Sequence, residues 1–217
     1  MSLAPPIPRL ALLGGESSGK TTLAIALAQA LGTVWVPEYG RQRWEELRET
    51  LSMDELVRVA QRQVQDEETL LAQARGWLVC DTTPLTTLQY CLYDHGQAPP
   101  VLWELARRPY ALVLLCAPDF EFVQDGARRD DAFRAAQHAW TLQQLITHQQ
   151  PWQVVSGTVA QRLAQVLSLL TGLPGQSASQ PRGLPVRTTI AQARVGVFES
   201  ALVPGAVPVF STDGDRP

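Results

Sequence analysis

Apolar and polar positions along this chain fall into blocks, and the blocks change period. Short apolar runs at 10–13, 33–36, 77–80, 111–116 and 153–155 have strand length and are rich in Leu, Val and Trp. Pro37 stops the second run and Asp81 the third. Between the runs lie longer stretches striped at helical spacing, which predict helices over 22–31, 41–50, 85–93, 101–107, 132–149 and 159–170. A further helix is opened by Ser52 and Glu55 in the arrangement of a capping box. It carries the stripe Leu56, Ala60, Val64, Leu70, Leu71 and Ala74. The run at 111–116 is apolar at every position, as strands covered on both faces tend to be. Strands alternating with helices predict an α/β fold: a five-stranded parallel sheet with helices on both faces.

After Thr171 the texture changes. Residues 172–217 are rich in Pro, Gly and Ser and lack a helical stripe, so residues 1–171 read as the folded domain and the remainder as a disordered tail. Within that tail, 193–198 has strand character if it finds a partner. No internal repeat is evident.

With 217 residues and 45% hydrophobic content, the chain has ample material for one core. A net charge of −3 gives no basic footprint for nucleic acid. No apolar run reaches the length of a membrane span, and the polar residues of 14–20 interrupt the N-terminal apolar stretch, which argues against a signal peptide. Cys80, Cys91 and Cys116 sit in apolar segments without metal-ligand spacing and suit a reducing cytoplasm.

The chemistry concentrates where the first strand meets the first helix. Gly14-Gly15-Glu16-Ser17-Ser18-Gly19-Lys20-Thr21, followed by Thr22 at the helix start, fits G-x-x-x-x-G-K-[ST] at every fixed position. Glycines let the backbone curl so that successive N–H groups point inward, and the helix adds its unpaired N–H groups and the positive end of its dipole. Lys20 would reach the β- and γ-phosphates of ATP, and the Thr21 hydroxyl would hold Mg²⁺. Lys20 is also the chain's only lysine. A compact ammonium is not well replaced there by a planar guanidinium. The lack of a second lysine excludes the [NT]-K-x-D motif of guanine-specific switch proteins.

Ligands of open α/β sheets sit beyond the carboxyl ends of the strands. The second strand ends in Pro37-Glu38-Tyr39-Gly40-Arg41. Glu38 is placed either to accept a hydroxyl proton or to hold sugar hydroxyls, with Tyr39 and Arg41 beside it; the bland alternative is a solvated turn with a surface ion pair. The third strand ends on Asp81, placed to hold Mg²⁺ directly or through water, or else to cap the next helix with Thr82 and Thr83. After the fourth strand, Asp125-Gly126 marks a tight turn followed by Arg128, Arg129 and Arg134. These suit a lid that covers developing charge, Arg128 foremost, unless Asp130 and Asp131 merely neutralise a charged helix start. Trp35, Trp44, Tyr90 and Tyr93 have spacings more common in cores than in ligand platforms. His95, His138 and His148 read as surface residues.

Taken together, "GGESSGKTTL", "PEYGR", "DTTPLTTLQYC" and "DGAR" resemble, in order and separation, the nicotinamide riboside kinase domain of bacterial bifunctional NAD-metabolism regulators. The resemblance covers roughly 9–170. It implies a P-loop kinase fold related to nucleoside and nucleotide kinases, and transfer of the ATP γ-phosphoryl to the 5′-hydroxyl of nicotinamide riboside. Glu38, Asp81 and Arg128 match family positions lining the acceptor and phosphate sites. Where family members often carry an acidic residue, this chain has Thr83. The adenylyltransferase and DNA-binding parts of the larger regulators find no room here, so a stand-alone kinase is expected. Its alternatives are a deoxynucleoside or nucleotide kinase on the same scaffold, and a nucleotide-dependent switch or ATPase acting through a partner. The partner expected for a kinase is a small molecule, not nucleic acid or membrane.

Overall fold

Every second residue of the central strands points to the same core, and the two alternating sets are both apolar. In the computed structural model, which describes residues 6–122 and 130–172, Ala11, Leu13, Cys80, Val113 and Leu115 face one layer of helices. Leu10, Leu12, Val79, Leu114 and Cys116 face the other. A strand buried on both faces loses its alternation, which is why these segments read as continuous apolar runs.

Among the described residues the order is β1 (Arg9–Leu13), α1 (Lys20–Leu31), β2 (Trp35–Val36), α2 (Tyr39–Leu47), α3 (Met53–Leu71), β3 (Leu78–Asp81), α4 (Pro84–His95), α5 (Pro100–Ala106), β4 (Leu112–Cys116), α6 (Asp131–Thr147), β5 (Trp152–Val155) and α7 (Val159–Gly172). The five strands form one sheet in the order β2-β3-β1-β4-β5, and each ladder is parallel. On one face, Leu56 and Val59 of α3, Leu88 of α4, Leu102 of α5 and Leu145 of α6 close the core. Leu23 and Leu27 of α1 and Val166 and Leu170 of α7 close it on the other. Each such Leu contributes roughly 1.5–3 kcal/mol by leaving water.

The helix boundaries follow local chemistry. Gly32, at φ 61°, ends α1 and donates to the Ala28 and Gln29 carbonyls. Thr83 caps α4 by accepting from Leu85 N–H, with Pro84 in the first turn. Asp130 caps α6 through Phe133 N–H at 2.6 Å. At α3 only half of the expected capping box forms. Ser52 Oγ accepts from Glu55 N–H, but the Glu55 carboxylate is taken by Arg43 and Arg58. Strand β2 is shorter than its apolar run because the Thr33 side chain turns inward, donating to the Trp77 carbonyl at 2.7 Å and accepting from Arg75 N–H. Helix α2 stops at Leu47, where Arg48 turns left-handed at φ 57°.

Two expectations about histidines are corrected. His95 Nε2 donates to the Leu51 carbonyl at 2.9 Å, fastening the end of α4 to the segment before α3. His138 is half-buried, and burial pushes its imidazole below the usual range. Residues 173–217 and the lid candidates Asp125, Gly126, Arg128 and Arg129 lie outside the described residues.

Candidate active site

Beyond the carboxyl end of β1 the chain folds into a loop that only a glycine-rich sequence can make. Gly14 has φ 140°, and a Cβ there would stand 2.6 Å from the Cys116 carbonyl oxygen. Gly19 has φ 76°, and its missing Cβ leaves room for the Phe120 ring, 2.6 Å from where that carbon would be. Ser17 is also left-handed, at φ 53°. Alternating hands of this kind turn successive amide N–H groups to one side and make a concave anion nest. Lys20, first residue of α1, lays its Nζ 3.0 Å from both the Gly14 and Gly15 carbonyls. Its four-carbon stem keeps that ammonium at the mouth of the nest.

The sheet brings Asp81 to the same place. The β1–β3 register sets Leu12 opposite Asp81, so the carboxylate arrives beside the start of α1, where it accepts from Thr21 Oγ1 at 2.6 Å. The capping alternative for Asp81 is excluded, since Thr83 performs that task. Asp81 is fully buried, and burial raises its carboxyl, with the Thr21 hydrogen bond and Lys20 acting against this. Its Oδ1 has no hydrogen-bond partner, nor has the buried Ser18 Oγ in the loop. One free carboxylate oxygen beside a threonine hydroxyl and an anion nest is the donor set expected of Mg²⁺ bound together with phosphates and water. Among the described residues no group of three or more His, Cys, Asp and Glu could hold a metal. A metal here would therefore draw on phosphate and water for most of its ligands.

A cavity of about 620 Å³ opens next to the loop, bounded by α2, α3, α4 and α6. Glu38 enters it from the end of β2, together with Arg41 and Trp44 of α2. Burial pushes the Glu38 carboxyl up to about 7. Lys20 and Arg41 pull it down, while Asp81 and Glu16 push it further up. Glu38 is half-buried on the cavity wall and not a solvated turn residue, although Arg41 does form an ion pair at 2.7 Å with Glu45. Tyr39 departs from expectation: it is absent from the cavity wall, packs against the core and lies under Arg62, 5.4 Å from ring centroid to guanidinium carbon. Thr82, also on the wall, holds φ 72°, which is costly for a β-branched residue; its hydroxyl donates to Thr86.

Two wall residues, Gln63 and Asp94, had no signal in the sequence, and others take contacts that the sequence does not announce. Glu16 sits in a variable position of the loop. It is fixed by Tyr90 Oη, which donates to Glu16 Oε1 at 2.7 Å, and by its own N–H to Gln137 Oε1 at 2.9 Å. Burial, with Glu16 and Glu38 nearby, holds the Tyr90 phenol well above its ordinary range, so it stays a donor. Tyr90 and Trp44 therefore belong to the cavity, whereas Tyr93 stacks edge-on against Phe133 and Trp35 packs beneath the sheet. Asp94 and Gln63 complete the wall. Gln63 is 2% exposed; its Oε1 accepts from Tyr39 N–H and its Nε2 has no partner. Arg134 is no lid residue. It is buried in α6, donates to the Phe120 carbonyl at 2.7 Å and pairs with Asp131.

The fold is similar to that of the NadR protein in complex with NR, with a TM-score of 0.66 and 21% identity over 81% of this chain and 54% of that one. It is also similar to the NadR protein in complex with NAD and AMP-PNP, at 0.64 and 19% over 76% and 49%. Thymidylate kinase from Ehrlichia chaffeensis follows, at 0.57 and 16% over 76% and 100%. The chain spans about half the length of the NadR chains. At these identities the likeness is one of architecture alone. Among the described residues no helix is long and apolar enough to cross a membrane. A family model described as an AAA domain, AAA_28, matches residues 9–162, and the chain belongs to that family.

Proposed function

We propose that this chain is an ATP- and Mg²⁺-dependent kinase that phosphorylates nicotinamide riboside to nicotinamide mononucleotide. The observation that carries the reading is the charge of the cavity beside the phosphate loop. Three carboxylates, Glu16, Glu38 and Asp94, line it together with Trp44 and Tyr90. Nicotinamide riboside bears a fixed positive charge on its pyridinium ring, which carboxylates and aromatic faces favour. A nucleoside monophosphate would bring its own negative charge into the same wall, where Arg41 is already paired with Glu45.

In this reading Lys20 and the amides of Gly14–Thr22 hold the triphosphate, while Thr21 and Asp81 hold Mg²⁺, whose charge offsets that of the phosphates. Glu38 orients the 5′-hydroxyl and takes its proton; a carboxyl near 7 suits a base working at neutral pH. Arg41 closes the acceptor side, and Gln63 Nε2 offers a donor to the substrate. Arg128 is assigned to cover the transferring phosphoryl, with Asp125, Gly126 and Arg129 as its neighbours in sequence. Residues 1–171 are assigned the whole reaction and 172–217 no part in it. The likeness to the NR-bound NadR fold supports the acceptor.

The test is the initial rate of ADP release at matched ATP and Mg²⁺ with nicotinamide riboside, uridine, thymidine, deoxycytidine and dTMP. We expect kcat/KM for nicotinamide riboside to exceed each of the others at least tenfold, a margin of about 1.4 kcal/mol. A preference for thymidine or dTMP overturns the acceptor and keeps the kinase. ADP release indifferent to every acceptor points to a switch or ATPase.

A further inference from the structure

The largest fully buried side chain among the described residues carries a guanidinium, and it lies behind the phosphate loop. Arg162, in the first turn of α7, has 0% exposure. Its Nη1 donates to the Ser18 carbonyl at 2.6 Å, its Nη2 to the Ala117 carbonyl at 2.9 Å and its Nε to the Gly157 carbonyl at 2.9 Å. Asp119 supplies the counter-charge and also accepts from Gly157 N–H. The guanidinium lies 4.5 Å over the Phe120 ring, the same ring that fills the space beside Gly19. One side chain thus gathers the phosphate loop, the end of β4 and the turn after β5.

Stability alone is a poor reason for this arrangement. A cation in the first turn of a helix opposes the helix dipole. Burying it costs desolvation that a single carboxylate, on a residue exposed to water, repays only in part. A leucine or methionine would fill the volume more cheaply.

Peptide geometry gives a better reason. Across a trans peptide the C=O and the following N–H point in opposite directions, and no cis peptide is present among the described residues. Holding the Ser18 carbonyl toward α7 therefore turns the Gly19 N–H away from α7, into the concave side of the loop. Gly19 has no Cβ to resist a flip of this peptide, so an external restraint decides its orientation. Resting on the kinase reading above, we propose that Arg162 is a positioning residue for the nucleotide. It fixes the Ser18–Gly19 peptide so that the Gly19 N–H faces bound phosphate. Arg134 braces the loop one turn earlier, its carbonyl and Cγ filling the space where a Cβ on Gly15 would stand.

The proposal is tested by binding, without turnover. Affinities for ATP and for inorganic tripolyphosphate are measured by calorimetry on the parent, Arg162→Met, Arg162→Lys and Asp119→Asn, with melting temperatures alongside. Arg162→Met should weaken both ligands at least tenfold and by equal factors, because the nest itself is altered. Arg162→Lys keeps the charge but cannot span three carbonyls, and should fall between Met and the parent. Asp119→Asn, at an exposed position, should weaken both two- to fivefold. If Arg162→Met does not fold, the other two variants decide. Unchanged affinities in Arg162→Lys and Asp119→Asn overturn the proposal even when their melting temperatures drop, as does a loss confined to ATP. A parent that binds tripolyphosphate but not ATP breaks the nucleotide reading instead, and the effect of Arg162 on the nest is then read from tripolyphosphate.

Discussion

Each end of the sheet buries a carboxylate, and the two are treated differently. At the amino end, Glu67 of α3 is 0% exposed and both its oxygens are in use. Oε1 accepts from Tyr110 Oη at 2.8 Å and Oε2 from Arg108 Nε at 2.9 Å, with Arg9 Nε 3.5 Å away. Glu68 takes the remaining reach of both arginines. At the carboxyl end Asp81 is as deeply buried, yet one oxygen is unused, and the Ser18 hydroxyl and Gln63 Nε2 are unused as well. A buried polar group without a partner costs roughly 1–3 kcal/mol. At the amino end the atoms left without a hydrogen bond are Trp77 Nε1 and Arg9 Nε, and the latter keeps its ion-pair contact with Glu67; at the carboxyl end a carboxylate oxygen is itself left over. The difference separates a carboxylate satisfied within the protein from one with an oxygen left to offer.

Lys20→Ala should break the comparison most sharply. Turnover should fall by about three powers of ten or more, since the ammonium serves the transferred phosphate. The melting temperature should move by no more than about 2 °C, because the side chain touches only loop carbonyls. Steady-state rates and calorimetry on the same sample check both halves, and near-parental turnover removes the phosphate-loop reading.

Glu67→Ala should do the reverse. It leaves Arg9 and Arg108 with Glu68 alone and the buried Tyr110 hydroxyl without its acceptor, at a cost of about 3 kcal/mol measured by urea unfolding. The KM values of the folded fraction should stay within twofold of the parent. A large KM change would show that the two ends are coupled through the sheet.

The finest discrimination comes from Glu38→Gln across pH. The Glu38 carboxyl rises from the usual 4.5 to about 7 on folding, mainly through burial. Below 4.5 it is protonated folded or unfolded and nothing is lost. Between 4.5 and 7 only the unfolded chain gives up its proton, so stability declines as pH rises and the loss is complete above 7. Glutamine does not ionise. The variant should therefore gain on the parent by about 3 kcal/mol between pH 4.5 and pH 8, while losing turnover. A stability difference that is flat with pH would place Glu38 in ordinary solvent.

The strands and the phosphate loop were legible because their signals are local. An apolar run bounded by Pro37 or Asp81 defines its own element, and Gly14–Thr21 define their own loop. Glu38 and Asp81 were legible because a parallel sheet places strand ends together. Tyr39 was misread because an aromatic beside a site residue can as well turn to the core, where Arg62 and the α3 contacts hold it. Glu16 and Tyr90 meet across 74 positions, and Arg162 and Ser18 across 144, so no periodicity announces them. One clue to Arg162 was present. It shares the buried α7 face with Val166 and Leu170, at steps of four, where a solvent-facing arginine would not belong.

A chain with a single lysine has one side-chain amine, and the fold puts it at the mouth of the phosphate nest. Amine-selective acylation, which on most proteins gives a statistical mixture, becomes a site-specific report here. Apart from the amino terminus, each chain can gain one label, and a bound triphosphate would shield the place it attaches. Intact mass then counts occupied and empty loops directly, without an engineered probe. The same scarcity makes lysine-directed surface immobilisation a poor choice for this protein, since the tether would enter through the site under study.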